Sequence, residues 1–86
     1  MRKYKLGAVI PPLDFRLDKA RVRIWEVTKT TLVTGETWYL VHLQVFYRRK
    51  ASRRFTLPVR SWDELVKKLL VEIPKFKLGV LMGYET

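Results

Sequence analysis

The sequence predicts an α+β fold, a twisted antiparallel β-sheet of about four strands with one C-terminal amphipathic helix packed on one face. Three observations carry that expectation. Thr37 to Arg49 is rich in β-branched and aromatic residues and holds no Gly or Pro, which suits one long strand. Lys19 to Lys29 alternates with period two, as a second strand would. Ser61-Trp62-Asp63-Glu64 matches a capping box and opens a run with helical spacing. The 86 residues form one domain, read as an N-terminal arm (1–18), a sheet plus helix (19–73) and a C-terminal tail (74–86).

In chain order, Leu6-Gly7-Ala8-Val9-Ile10 is a short apolar patch suited to an edge strand or a packing arm. Pro11-Pro12 then imposes extended backbone. Leu13, Phe15 and Leu17 alternate with Asp14, Arg16 and Asp18, compatible with a short strand. Asp14 and Asp18 lack a third ligand or a neighbouring histidine, so they read as solvated carboxylates and not as a metal site. Along Lys19–Lys29, Val22, Ile24 and Thr28 are expected on one side, with Arg21, Arg23, Trp25 and Val27 on the other. A turn near Thr34-Gly35-Glu36 links this strand to the central one in an antiparallel meander, with Thr30 to Val33 extending the pairing.

On the central strand, Thr37, Tyr39, Val41, Leu43, Val45 and Tyr47 form the face turned to the core. Trp38, Leu40, His42, Gln44, Phe46 and Arg48 form the other. Burying such polar groups without partners costs about 1 to 3 kcal/mol each, so that second face is expected to be wet or covered by a ligand. Arg48-Arg49-Lys50-Ala51-Ser52-Arg53-Arg54 then places five cations in seven residues with no acid among them. It reads either as a solvated hairpin tip or, beside the aromatic face, as a phosphate clamp. Arg54 to Leu57 is a returning strand with Phe55 and Leu57 inward and Arg54 and Thr56 on the wet face. Pro58 ends that strand or lies on an edge.

In the helix opened by Ser61, Trp62, Leu65, Val66, Leu69, Leu70 and Ile73 fall within an arc of roughly 140°. Trp62 belongs to the core, and Val71 points toward solvent or a second subunit. Pro74 disfavours helix at Ile73 and is expected to close the segment. Lys75 to Met82 then supplies a further strand, a wrap against a partner subunit or a tail packed on its own domain.

Composition narrows the function. A formal net charge of +10 makes a polyanion the default partner, with nucleic acid first. An acidic membrane surface comes second, because the cations sit on strands and hairpin and not on an amphipathic helix. With no cysteine, a disulfide framework and a thiolate metal site are both excluded. One histidine, no glycine-rich phosphate loop and no convergent carboxylates leave no standard catalytic constellation, so neither an enzyme nor a cofactor is expected. No secretory signal and no bilayer-length apolar run is visible, which points to a cytoplasmic, nucleoid-associated protein. Asparagine is absent and glutamine occurs once, a depletion of thermolabile residues that suits a thermophile.

Phe55-Thr56-Leu57, followed by Trp62 and Leu65, resembles the junction pattern G-[IV]-S-L-x-x-x-x-W-x-x-L of the C-terminal domain of the positive cofactor four coactivator family. Arg54, Phe55 and Thr56 stand where that family has glycine, an aliphatic residue and serine. Arg21-Val22-Arg23-Ile24 and Leu40-Val41-His42-Leu43-Gln44-Val45 fall where its preceding strands lie. The likeness spans roughly residues 19–73, and the ThermoDBP-like proteins of thermophilic archaea look like a related solution. It implies a curved sheet backed by one helix, a homodimer formed partly through helices, and single-stranded DNA lying across the sheet.

Together these readings lead to a non-enzymatic, sequence-tolerant binder of single-stranded DNA, with RNA as an alternative strand. Stacking is assigned to Trp25, Trp38 and Phe46, and phosphate contact to Arg21, Arg23, Arg48, Arg49, Lys50, Arg53 and Arg54. His42 and Gln44 share the face, His42 either as a ligand contact or as a structural histidine. Tyr47 is inward by alternation unless the hairpin exposes it. Two rivals remain at this stage: a small basic duplex-DNA chromatin protein that wedges apolar side chains into the minor groove, and a protein-interaction subunit with an exposed aromatic face.

Overall fold

The structure, a computed structural model, describes residues 4–83. Period-two segments become strands β1 (Leu13–Leu17), β2 (Ala20–Thr31), β3 (Thr37–Tyr47), β4 (Lys50–Ala51) and β5 (Phe55–Val59), and the capped run becomes helix α1 (Trp62–Leu81). All pairings are antiparallel: β1 on β2, β2 on β3, and both β4 and β5 on the far side of β3. The sheet therefore has five strands, because the returning segment is split at Ser52-Arg53-Arg54 and Leu13–Leu17 joins from within the N-terminal arm. The preceding patch serves as a packing arm, a short 3-10 helix at Leu6–Ala8 that buries Leu6. The Pro11-Pro12 bond that follows is cis.

One face of the sheet is dry. Val22, Ile24, Val41, Leu43, Val45 and Val59 are buried against Trp62, Leu65, Leu69, Ile73 and Phe76 of α1. Tyr39 and Tyr47 pack at its margin, on the inward side that alternation assigns them. Pro58 lies within β5, an edge strand, where its missing N–H costs no ladder bond. Ser61 caps α1 by accepting from the Glu64 amide at 3.3 Å, whereas the Glu64 carboxylate turns to Arg60 and Lys68 instead of back to Ser61.

Three sequence expectations fail here, each for a physical reason. First, α1 does not close at Pro74 but continues to Leu81. Pro74 is exposed, so the Leu70 carbonyl that loses its partner faces the wet side, while Phe76 and Val80 beyond it pack on the core. Burial of those side chains offsets the roughly 3 kcal/mol that an interior proline costs. Of the three readings of residues 75–82, the strand is thus replaced by helix, while the segment does pack on its own domain through Phe76 and Val80. Second, the helical stripe is narrower than expected, because Leu70 is 48% exposed; Val71 faces solvent, as its position off the stripe predicts.

Third, alternation along β2 breaks at Trp25. Ile24 pairs with Leu43 and Glu26 with His42, so Trp25 is the extra residue of a β-bulge. Beyond it the phase inverts: Val27 packs on the core opposite Val41, and Thr28 comes out beside His42. The two were expected the other way round.

Candidate nucleic-acid interface

The face opposite α1 is built from Arg21, Arg23, Trp25, Glu26, Thr28 and Thr30 of β2 across from Phe46, Gln44, His42, Leu40 and Trp38 of β3. Trp25, Trp38 and Phe46 are all half-buried, and none packs into the core. Along β3, Trp38 and Phe46 are separated by about 26 Å of strand, with Trp25 between them on the neighbouring strand.

Each ring carries a guanidinium. Arg54 lies 4.0 Å and Arg23 5.1 Å from the Trp25 ring centre, Arg21 4.7 Å and Arg23 5.6 Å from Phe46, and Arg60 5.1 Å from Trp38. A cation over an aromatic face is held by the ring quadrupole, weakly where water competes. The arrangement therefore keeps planar cations within reach of any base that stacks there.

The approach of Arg54 to Trp25 has a backbone cause. On one flank of β3, alternation places the Trp25 indole on the wet face beside Arg23, and the bulge there adds Glu26 to the same face. On the other flank, Phe46 pairs with Ala51 but Leu43 pairs with Phe55, which leaves one extra residue in Ser52-Arg53-Arg54. Ser52 repairs the gap, because its hydroxyl accepts from the Val45 amide at 2.9 Å and its own amide donates to the Val45 carbonyl at 2.8 Å. Gln44 spans the two irregularities: its Nε2 donates to the Ser52 carbonyl at 2.8 Å, and its Oε1 accepts from Trp25 Nε1 at 3.2 Å. Gln44 is thus a positioning residue beneath the rings.

His42 is likewise framed by protein groups, with Nδ1 2.8 Å from Thr56 Oγ1 and Nε2 3.5 Å from Thr28 Oγ1. That geometry favours the structural role for this histidine.

Both tight turns at one end of the sheet, Asp18-Lys19 and Arg48-Arg49, have positive φ at both central residues without any glycine. Arg16, Lys19 and Arg21 from one hairpin and Arg48, Arg49 and Lys50 from the other line a single groove of about 450 Å³ beside Phe46 and Tyr47. Among the described residues none of these six cations is ion-paired, since Asp14 is taken by Arg23 and Asp18 by Lys77. The Arg23 guanidinium, hydrogen-bonded at 2.7 Å, holds the Asp14 carboxyl below the usual carboxylate range.

The structure thus brings Arg21, Arg23, Trp25, His42, Gln44, Phe46 and Arg54 together at the centre of the face, with Trp38 farther along it. Arg48 departs from strand alternation. Its guanidinium lies 5.5 Å from the Tyr47 ring, and Lys50 is paired with Tyr47, so both border the end groove and not the aromatic row. Arg49 sits on the same tip. Arg53 faces a different hollow, beside Glu72, Lys75 and Phe76 on the helix side. Sequence reasoning missed Arg16, Lys19 and Arg60. Arg16 and Lys19 could have been found from the alternation about Phe15 and the two-residue spacing of the turn, but nothing in the sequence signals that Arg60 stacks on Trp38.

Among the described residues there is no cluster able to hold a metal ion and no helix long and apolar enough to cross a membrane. Comparison of the chain with protein-family models, curated proteins and solved structures gives no match, so the chemistry of this face carries the functional reading alone.

Proposed function

We propose that the protein binds single-stranded nucleic acid, DNA in the first instance, without marked sequence preference and without catalysing a reaction on it. One observation carries the reading: three rings, Trp25, Trp38 and Phe46, lie on the face opposite α1, outside the core, each with a guanidinium stacked on it. Every base has a π-face, so rings of this kind accept any sequence, while arginines neutralise the phosphates. The groove at the sheet end extends the basic track past Phe46. Two exposed acids border the rings and disfavour phosphate close by: Glu26 near His42, and Glu36, which accepts from Trp38 Nε1 at 3.4 Å.

The test is tryptophan fluorescence during titration with poly-dT, repeated with duplex DNA at the same salt. The expected result is quenching by the single strand, with log affinity falling by about 0.7 per phosphate contacted for each decade of salt. Tighter binding of duplex would instead favour the chromatin-protein reading. Negligible binding of either would favour the aromatic face as a protein interface.

A further inference from the structure

Among the described residues β1 pairs with β2 alone, which leaves its outer edge open. The turn at Asp18-Lys19 determines what that edge presents. In a two-residue hairpin the flanking residues, here Leu17 and Ala20, are hydrogen-bonded to each other. Leu17, Phe15 and Leu13 therefore direct their N–H and C=O groups toward β2, and Asp14 and Arg16 direct theirs outward. The strand reads Leu13-Asp14-Phe15-Arg16-Leu17, with an acid and a base placed symmetrically about Phe15.

We propose that a second copy of this chain pairs antiparallel with this edge, the two-fold axis passing at Phe15. Outward backbone groups can meet only when Asp14 and Arg16 face the same two positions of the second copy. Three registers satisfy this. Centring on Asp14 sets two carboxylates opposite each other, and centring on Arg16 sets two guanidiniums opposite each other. Centring on Phe15 sets each Asp14 opposite the partner's Arg16, twice over by symmetry, and gives the longest overlap. Pro11-Pro12 on one side and the turn on the other bound the strand and limit slippage.

Burial agrees with this register. Leu13, Phe15 and Leu17 are only half-buried on the helix side of the open edge. A second copy brings its own Leu17, Phe15 and Leu13 against them. Arg16 forms no ion pair among the described residues, while Asp14, bonded to Arg23, keeps 45% of its side chain exposed. In the dimer both helices lie on one side of a continuous sheet, and the two aromatic faces join on the other. A strand of nucleic acid could then pass from one copy to the next.

The test is sedimentation of the full chain, without nucleic acid, over a wide concentration range. The wild type is expected to dimerise. Arg16→Asp is expected to weaken the dimer about tenfold or more, since it creates two like-charge pairs across the axis. Within one copy the same change sets an acid opposite Arg21, so urea stability, measured at concentrations where both proteins are monomeric, should hold or rise, which separates loss of pairing from loss of folding. Combining Asp14→Arg with Arg16→Asp restores opposite charges across the axis and should restore the dimer.

A wild type that stays monomeric throughout the micromolar range would overturn the proposal. So would dimerisation insensitive to Arg16→Asp, a charge-swapped double variant that stays monomeric, or a dimer lost only when Val71 and Leu78 on the outer face of α1 are changed to Glu. The inference does not depend on the nucleic-acid reading: a monomer that binds poly-dT removes only the dimer, and a dimer that ignores poly-dT removes only the ligand.

Discussion

Trp25 is the residue on which the face turns, because at the bulge its indole meets both Gln44 and Arg54. Trp25→Ala and Trp38→Ala are each expected to weaken poly-dT binding by about 1 to 3 kcal/mol, read by anisotropy of a labelled oligonucleotide. Thermal stability should change little, since neither ring contributes to the core. Gln44→Ala should act differently. It removes the hydrogen bonds to Trp25 and Ser52, with a stability loss of about 1 kcal/mol or more in urea denaturation and a smaller loss of affinity. Trp62 shows the opposite behaviour from the other two tryptophans. It is 5% exposed, touches Tyr4 and Phe15, and leaves its indole N–H without a partner among the described residues.

At the level of elements, the Arg48-Arg49 turn combines unfavourable backbone with useful charge. Its φ values of 50° and 63° suit Asn-Gly, and the left-handed region costs most side chains about 1 to 2 kcal/mol. Arg48→Asn with Arg49→Gly is therefore expected to raise the melting temperature while flattening the salt dependence of oligonucleotide binding. Pro74→Ala should also stabilise, by restoring a donor to the Leu70 carbonyl, and melting curves would show it as a rise of several degrees. Much of this layout was legible in the sequence. The inward row of β3, that of β2 as far as Ile24, the Ser61 cap and the Gly35 turn follow from period and turn chemistry. The bulge at Trp25 was not legible, because one inserted residue leaves the hydrophobic pattern readable in either phase: Val27 and Thr28 are both β-branched and fit either face. The length of α1 was hidden for a related reason. A local rule about proline was overridden by packing of Phe76 and Val80, which lie beyond the proline in sequence but on the core in space.

For the molecule as a whole, charge dominates. The formal charge of +10 and a groove of unpaired cations predict association that fails at high ionic strength, and quenching of the tryptophans by poly-dT that persisted undiminished in about 1 M salt would count against the phosphate half of the reading. Acid should affect stability through Asp14. Its carboxyl is held below the ordinary range by the Arg23 hydrogen bond, so its contribution is present in full above the unfolded value of about 3.9. That contribution is lost as pH falls through the lower folded value. Asp14→Asn should remove this part of the acid sensitivity in urea titrations, by a modest amount because the pair is solvent-screened. The arginines parked on Trp25, Trp38 and Phe46 have a consequence for the empty protein. Each guanidinium covers part of a ring that the fold leaves outside the core, and under the proposed reading an incoming base would take the ring and release the guanidinium to the adjoining phosphate.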